Sequence, residues 1–389
     1  MKIAFLLGSG ISLKAGMPRT SEITEKIISA KNVRRYTLHH YYISKDQESD
    51  ENVKNIGKFL NFLFQSINKY FKKYQNEHLP NYEDIFYILR QLHDEIRGEQ
   101  ENLIIRQFLK SLEEDVNKQF DFDRRFYPID KLIDESMDYI NNIVTQLLSI
   151  DHLKNKCENL KIFKDITHNE GCKSLDIFTL NHDITLEYFF KENKIKICDG
   201  IDEEKKGDIR HFDINLYKQN NKINLYKLHG SIDWYRFRYR GKDWRGEFIG
   251  KPLSNDLYHL KDEFGDNIAL IDRKSKILIG TFNKLLDYNS GIFSDLFCLF
   301  KSELNSHNTL IISGYSFGDK GINTKIIEWY YYSENNKIII IHENPNKLWC
   351  YSRNAIGLKW EKWLTDKRLI PIEKRFEDVT WDELKRCIK

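Results

Sequence analysis

Short apolar runs, each halted by glycine or a polar residue, constrain this chain more than any other feature. They occupy residues 3–7, 175–180, 224–228, 276–280, 309–314 and 337–342. Such runs lack the alternation of a half-exposed strand, so they predict strands covered on both faces, as in a parallel sheet. Segments with helical periodicity fall between them, notably 184–191, 291–304 and 323–332. Strands alternating with helices predict an α/β fold built on a doubly wound, mostly parallel, Rossmann-like sheet. A further helix is predicted over 20–29, after Pro18.

Between about residues 45 and 165 the rhythm is different. Val53, Ile56, Phe59, Leu60 and Leu63 recur at helical spacing, as do Leu132, Ile133, Ile140, Ile143 and Val144. This block reads as an inserted helical lobe over 31–169, which divides the sheet-bearing domain into 1–30 and 170–389. The polar, aromatic stretch from Tyr235 to Asn267 carries no assignable pattern.

A chain of 389 residues can hold two packed units. Its 61 basic and 58 acidic side chains leave a net charge of +3, which is no electrostatic footprint for direct nucleic-acid binding. The six cysteines form no Cys-x-x-Cys pair, so neither a zinc ribbon nor a redox dithiol is expected, and a reducing cytoplasm fits. The opening apolar run is too short for a signal peptide, and no stretch approaches the ~20 apolar residues of a membrane span. A soluble, cytoplasmic protein is the expectation.

Chemistry is written where strands end, because an open parallel sheet binds ligands beyond its carboxyl edge. The first strand runs into GSGISLKAGMP. Gly8 and Gly10 suit a tight turn and a backbone approaching phosphates, and Ser9 and Ser12 offer hydroxyls; the plain alternative is a glycine turn. The common dinucleotide fingerprint fails here: Leu13 stands where its third glycine belongs, and no second strand ending in an acidic residue follows. TLNHD (Thr179 to Asp183) ends another run, with Asn181 and Asp183 placed either at the crevice or as helix caps. In KLHGSIDW, His229 is a candidate general base and Gly230 suits close backbone approach to a ligand. ISGYSFGD and IIIIHENPN end two more runs with small and polar residues suited to phosphate or ribose. The plain reading of Asp319 is a helix cap.

In this order the motifs resemble those of the sirtuin family, over residues 3–20, 175–190, 224–234 and 309–346, which implies a sirtuin-like NAD-binding fold. Ser9 replaces the usual alanine of the first loop, and Arg19 and Thr20 depart from the family's Asp-Phe-Arg. The two Cys-x-x-Cys pairs of deacylating sirtuins are missing, so no zinc is expected. The chain is similar instead to bacterial sirtuin-like proteins of anti-phage defence that destroy NAD+; NYEDIFYIL (81–89) and GYSFGD also resemble that branch. The resemblance implies that Asn181 orients ribose or water, that His229 takes a proton, and that Asp183 orients ribose or Asn181. It implies that Gly8, Ser9, Gly10, Ser12, Thr179, Gly230, Gly314 and Ser316 hold the dinucleotide, with Glu343 or Asn344 at the adenosine ribose. The expected activity is cleavage of the nicotinamide–ribose bond of NAD+, the substrate, to ADP-ribose and nicotinamide. Control through a homo-oligomer or a companion such as a HerA-type ATPase or short Argonaute is implied with it. A protein deacylase or ADP-ribosyltransferase, and a nucleotide-binding sensor that never turns over, are the alternatives.

Overall fold

The computed structural model describes residues 1–37, 39–74, 79–99, 102–119, 128–149, 155–242, 246–254 and 256–388. The chain divides into two compact units. One comprises Met1–Met17, Leu148–Leu278 and Lys284–Lys389; the other comprises Pro18–Leu147 with Ile279–Asn283.

Among the described residues, the strands in chain order are β1 (Lys2–Leu7), β2 (Val33–Thr37), β3 (His40–Ile43), β4 (Ser174–Thr179), β5 (Ile209–His211) and β6 (Ile223–Lys227). They continue as β7 (Tyr235–Tyr239), β8 (Glu247–Pro252), β9 (Ile268–Leu270), β10 (Thr309–Ser313), β11 (Lys337–Ile341) and β12 (Leu369–Ile372). The first unit is built on a six-stranded sheet in the order β12-β11-β10-β1-β4-β6, with every neighbouring pair parallel. Successive side chains of one strand enter opposite cores, as the pleat requires. Ala4 and Leu6 pack with Phe178, Leu310 and Ile340 on one face; Ile3, Phe5 and Leu7 pack with Ile177, Ile311 and Ile339 on the other.

Helices cover both faces. Gly291–Leu304, Lys320–Tyr332 and Asn354–Thr365 bury Leu296, Ile326 and Trp360 on the first; Lys161–Thr167, Thr185–Glu192 and Trp381–Ile388 bury Phe163, Phe190 and Leu384 on the second. This is the expected doubly wound α/β arrangement. The chain winds outward from β1 through β4 to β6, and in the other direction from β10 through β11 to β12, so the order reverses between β1 and β10. Ligand crevices of open α/β sheets form at such a reversal, beyond the carboxyl ends.

The second unit is mainly helical. Thr20–Ser29, Glu51–Tyr74, Tyr82–Ile96, Leu103–Gln119 and Ile129–Leu147 are its helices. Val53, Ile56, Phe59, Leu60, Leu132, Ile133, Ile140, Ile143 and Val144 are buried, as their spacing predicts. Asn81 opens its helix with a capping box: its side chain accepts the Glu83 N–H at 2.8 Å while Asp84 receives the Asn81 N–H at 3.0 Å. The unit also carries an antiparallel hairpin, β2–β3, which no apolar run announced.

Three sequence expectations change. Residues 276–280 are not a sheet strand; Lys276 N–H donates to the Trp234 carbonyl and Leu278 N–H to the His229 carbonyl, so this run is bound to the loop after β6. The sixth sheet strand is β12, a four-residue edge interrupted by Pro371, which an edge tolerates because one side of its backbone needs no ladder partner. The stretch after Tyr235 contributes most of a small antiparallel sheet ordered β5-β8-β7-β9.

Candidate active site

Two loops meet at the reversal between β1 and β10. After β1, residues 9–11 make a single 3-10 turn, and after β10 the chain runs through Gly314 to Asp319. Gly8 N–H donates to the Ser313 carbonyl at 2.9 Å and Gly10 N–H to the Gly314 carbonyl at 3.1 Å. A Cβ on Gly8 would collide with that Gly314 carbonyl, and one on Gly10 would lie 2.8 Å from the Gly314 Cα. Gly314 adopts φ +68, and a Cβ there would lie 2.7 Å from Gly8 O. These three glycines are therefore required by loop-to-loop contact, with the Gly10 N–H consumed inside it. Ser9 and Ser316 are exposed on the two loops, and Ser12 is buried.

Ser12 joins the first loop to the end of β4. Its hydroxyl donates to Asp183 Oδ1 at 3.2 Å and accepts from Asn181 Nδ2 at 3.1 Å. Thr179 Oγ1 accepts the Asn181 N–H at 3.1 Å, and Asp183 Oδ1 also accepts the Thr185 N–H at 3.0 Å. Asp183, one residue before the N-cap Ile184, therefore accepts the first N–H of the following helix and the Ser12 hydroxyl with the same oxygen. Lys227, 1% exposed at the end of β6, donates to the Asp183 carbonyl and to Glu187 Oε1, each at 2.6 Å. Asn181 is 5% exposed, yet its Oδ1 has no hydrogen-bond partner among the described residues. An unmet carbonyl of this kind costs about 1–3 kcal/mol and marks a place where a ligand or water restores the bond.

The register between β4 and β6 pairs Thr179 with Lys227, so Asn181 and His229 each lie two residues past the paired ends of adjacent strands. His229 is buried. Its Nε2 is 2.6 Å from the Tyr288 hydroxyl and 3.1 Å from Asp319 Oδ2, and the same hydroxyl donates to Asp319 Oδ2 at 2.7 Å. Burial raises the Asp319 carboxyl pKa, but the His229 hydrogen bond and charge, with the Lys284 ammonium, outweigh burial and hold it far below the usual carboxylate range. Asp319 does cap its helix as the sequence suggested, since Oδ1 accepts the Ile322 N–H at 3.1 Å; its other oxygen serves the imidazole.

His182 neighbours His229, its ring centroid 6.0 Å from that of His229. It is buried, its Nδ1 is without a partner among the described residues, and its pKa is held well below the ordinary imidazole value by burial first, then by the His229, Lys284 and Lys227 charges. Its imidazole is thus neutral near physiological pH.

The remaining candidates are placed differently. Gly230 adopts φ +76, and a Cβ there would run into the Lys276 carbonyl, so protein backbone rather than open space faces it. Glu343 lies past β11 in an exposed ion pair with Arg375 at 2.9 Å, and the Asn344 side chain caps the next helix through the Lys347 N–H at 2.8 Å. Sequence reasoning missed Tyr288, Lys284 and the second role of Asp319. Tyr288 lies in no motif, and a cap signal hides what the second carboxylate oxygen does.

The fold and these loops define a doubly wound α/β protein whose polar residues gather at a strand-order reversal. A family model described as a SIR2-like domain matches residues 176–364, the stretch that supplies Asn181, Asp183, His229, Tyr288 and Asp319. No curated protein matches the chain. Among solved structures, a Sir2 homologue in complex with NAD is 10% identical, with 99% of this chain and 89% of that one covered and a TM-score of 0.35. A Sir2 homologue mutant complexed with 2'-O-acetyl ADP-ribose is 11% identical over 99% of this chain and 91% of that one, with a TM-score of 0.38.

Proposed function

We propose that this protein hydrolyses NAD+ at the nicotinamide–ribose bond. The observation that carries the reading is the buried Oδ1 of Asn181, unpartnered among the described residues, on a side chain and backbone held by Ser12 and Thr179 one strand away from His229. The SIR2-like match over this stretch supports it. The leaving group is a cationic pyridinium that takes the bonding electron pair and departs neutral, so no general acid is needed at that nitrogen. As the C1′–N bond breaks, the ribose gains oxocarbenium character, and a water attacks C1′. Asn181 Oδ1 orients that water or a ribose hydroxyl, His229 accepts the proton released, and Asp183 secures the loop through Ser12. The exposed Ser9 and Ser316 hydroxyls are the candidates for the phosphates. Glu343 or Asn344 is assigned to the adenosine ribose only if Arg375 yields its partner or the cap opens.

By its motifs the chain is proposed to be an NAD-depleting effector of anti-phage defence, inactive until a homo-oligomer or a companion protein switches it on. Unregulated activity would empty the host's own NAD+, which is the chemical reason for such control.

The test is nicotinamide release from NAD+ by purified protein, alone and with its genomic neighbours, followed by chromatography. Wild type should release nicotinamide without any acceptor peptide, and Asn181→Ala should bind NAD+ while losing about a hundredfold or more of the rate. Release only when an acylated or acceptor peptide is supplied would transfer the reading to a deacylase or ADP-ribosyltransferase. Binding with no turnover under any condition would leave a sensor.

A further inference from the structure

We infer that Asp319 is the positioning residue of His229, so that the loop after β10 sets the orientation and charge of an imidazole presented by β6. This deepens the hydrolase reading and rests on it for its catalytic part; the hydrogen-bonded pair itself does not.

Four observations converge. Asp319 Oδ2 is 3.1 Å from His229 Nε2, and both groups are almost wholly buried. The Tyr288 hydroxyl closes the triangle, 2.6 Å from the imidazole and donating to the carboxylate at 2.7 Å. Asp319 is itself immobilised: Oδ1 accepts the Ile322 N–H, and its backbone N–H donates to the Tyr315 hydroxyl at 3.1 Å. That hydroxyl in turn donates to Asn323 Oδ1 at 2.8 Å, and Asn323 Nδ2 donates to the Phe317 carbonyl at 2.8 Å. Phe317 is held at φ +57 within this loop, a conformation unfavourable for a bulky side chain and maintained here by its surroundings. The loop is thus fixed at both ends of the carboxylate.

A carboxylate on one imidazole nitrogen does two things. It holds the proton on that nitrogen, which fixes the tautomer, and it stabilises the imidazolium formed when the ring accepts a second proton. Here both effects act on a histidine whose proposed task is to accept the proton of the attacking water. Asp319 touches no substrate in this scheme and acts through His229.

Asp319→Asn is the discriminating variant, because asparagine caps a helix as well as aspartate and keeps the Ile322 bond. Two readouts are taken on the full chain. The first is the nitrogen chemical shifts of 15N-labelled histidine across pH 5–9, with His229 assigned by its loss in His229→Gln. Wild type should show His229 protonated at Nε2 when neutral, and Asp319→Asn should titrate at lower pH because the imidazolium has lost its anionic partner. The second is nicotinamide release, where kcat should fall about a hundredfold or more with KM changed less than about threefold. The acidic limb of the rate profile should move to lower pH by the same amount as the NMR titration. Tyr288→Phe, which keeps the carboxylate, should retain the tautomer. An unshifted His229 titration in Asp319→Asn overturns the pairing, whatever the enzyme does. A shifted titration with wild-type kcat overturns the catalytic consequence. If wild type releases no nicotinamide, alone or with its genomic neighbours, while the titration shifts, the hydrolase reading fails and the pairing stands.

Discussion

At the scale of single residues, the glycines divide by the physical demand placed on them. Gly314 needs a positive φ and a carbonyl of the facing loop where its Cβ would be, whereas Gly8 needs only the space. Gly314→Ala should therefore destabilise the protein by about 2 kcal/mol or more, from left-handed strain plus displacement of the Gly8 turn. Urea unfolding monitored by far-UV circular dichroism measures this, and an unchanged midpoint would show that the two loops move apart at little cost. Such a glycine is visible in the sequence, but its reason is not. GSG reads equally well as a phosphate cradle or as a turn pressed against another turn, and the contact partner lies about three hundred residues away.

At the scale of elements, the turn after β4 is pinned by β6 through one buried ammonium. Lys227 holds the Asp183 carbonyl and Glu187 together, and Glu187 lies on the helix whose first N–H the Asp183 carboxylate accepts. Burial raises the Glu187 carboxyl pKa, and Lys227 opposes that rise. Removing the lysine while leaving the carboxylate strands a charge, so Lys227→Met should cost about 3 kcal/mol at neutral pH. The deficit should shrink on acidification, because the orphaned Glu187 then folds as a neutral acid. Denaturant titrations of wild type and variant at pH 8 and pH 5 test both statements; a larger deficit at pH 5 would contradict them. The apolar runs made β1, β4, β6, β10 and β11 legible, because strands covered on both faces need uninterrupted hydrophobicity. β12 escaped because it is only four residues long and includes a proline, which reads as a strand breaker.

At the scale of the whole molecule, acid stability joins these groups. The His182 pKa is lowered in the folded state, so the unfolded chain binds a proton that the folded chain resists. Its contribution is complete above the unfolded value of about 6.5 and is lost as pH falls below that, by at most about 1.4 kcal/mol per pH unit. Asp319, a depressed carboxyl, adds a second loss only below about pH 4, where its unfolded form takes a proton first. Stability measured from pH 7.5 to 5 should fall in wild type and stay flatter in His182→Gln; equal slopes would mean that His182 is not held neutral.

Local sequence determined most of the helices and five of the six strands of the central sheet, that this sheet is parallel and covered on both faces, and that polar residues stand at its strand ends. These follow from side-chain period, covalent chemistry and turn composition, which act within a few residues. Only the tertiary structure decided the strand order, which puts the loops of β1 and β10 together at the reversal. Only it gave His229 the carboxylate of Asp319 and the hydroxyl of Tyr288, residues 90 and 59 positions away. Hydrogen bonds across such separations depend on how whole elements pack, and no local pattern encodes them.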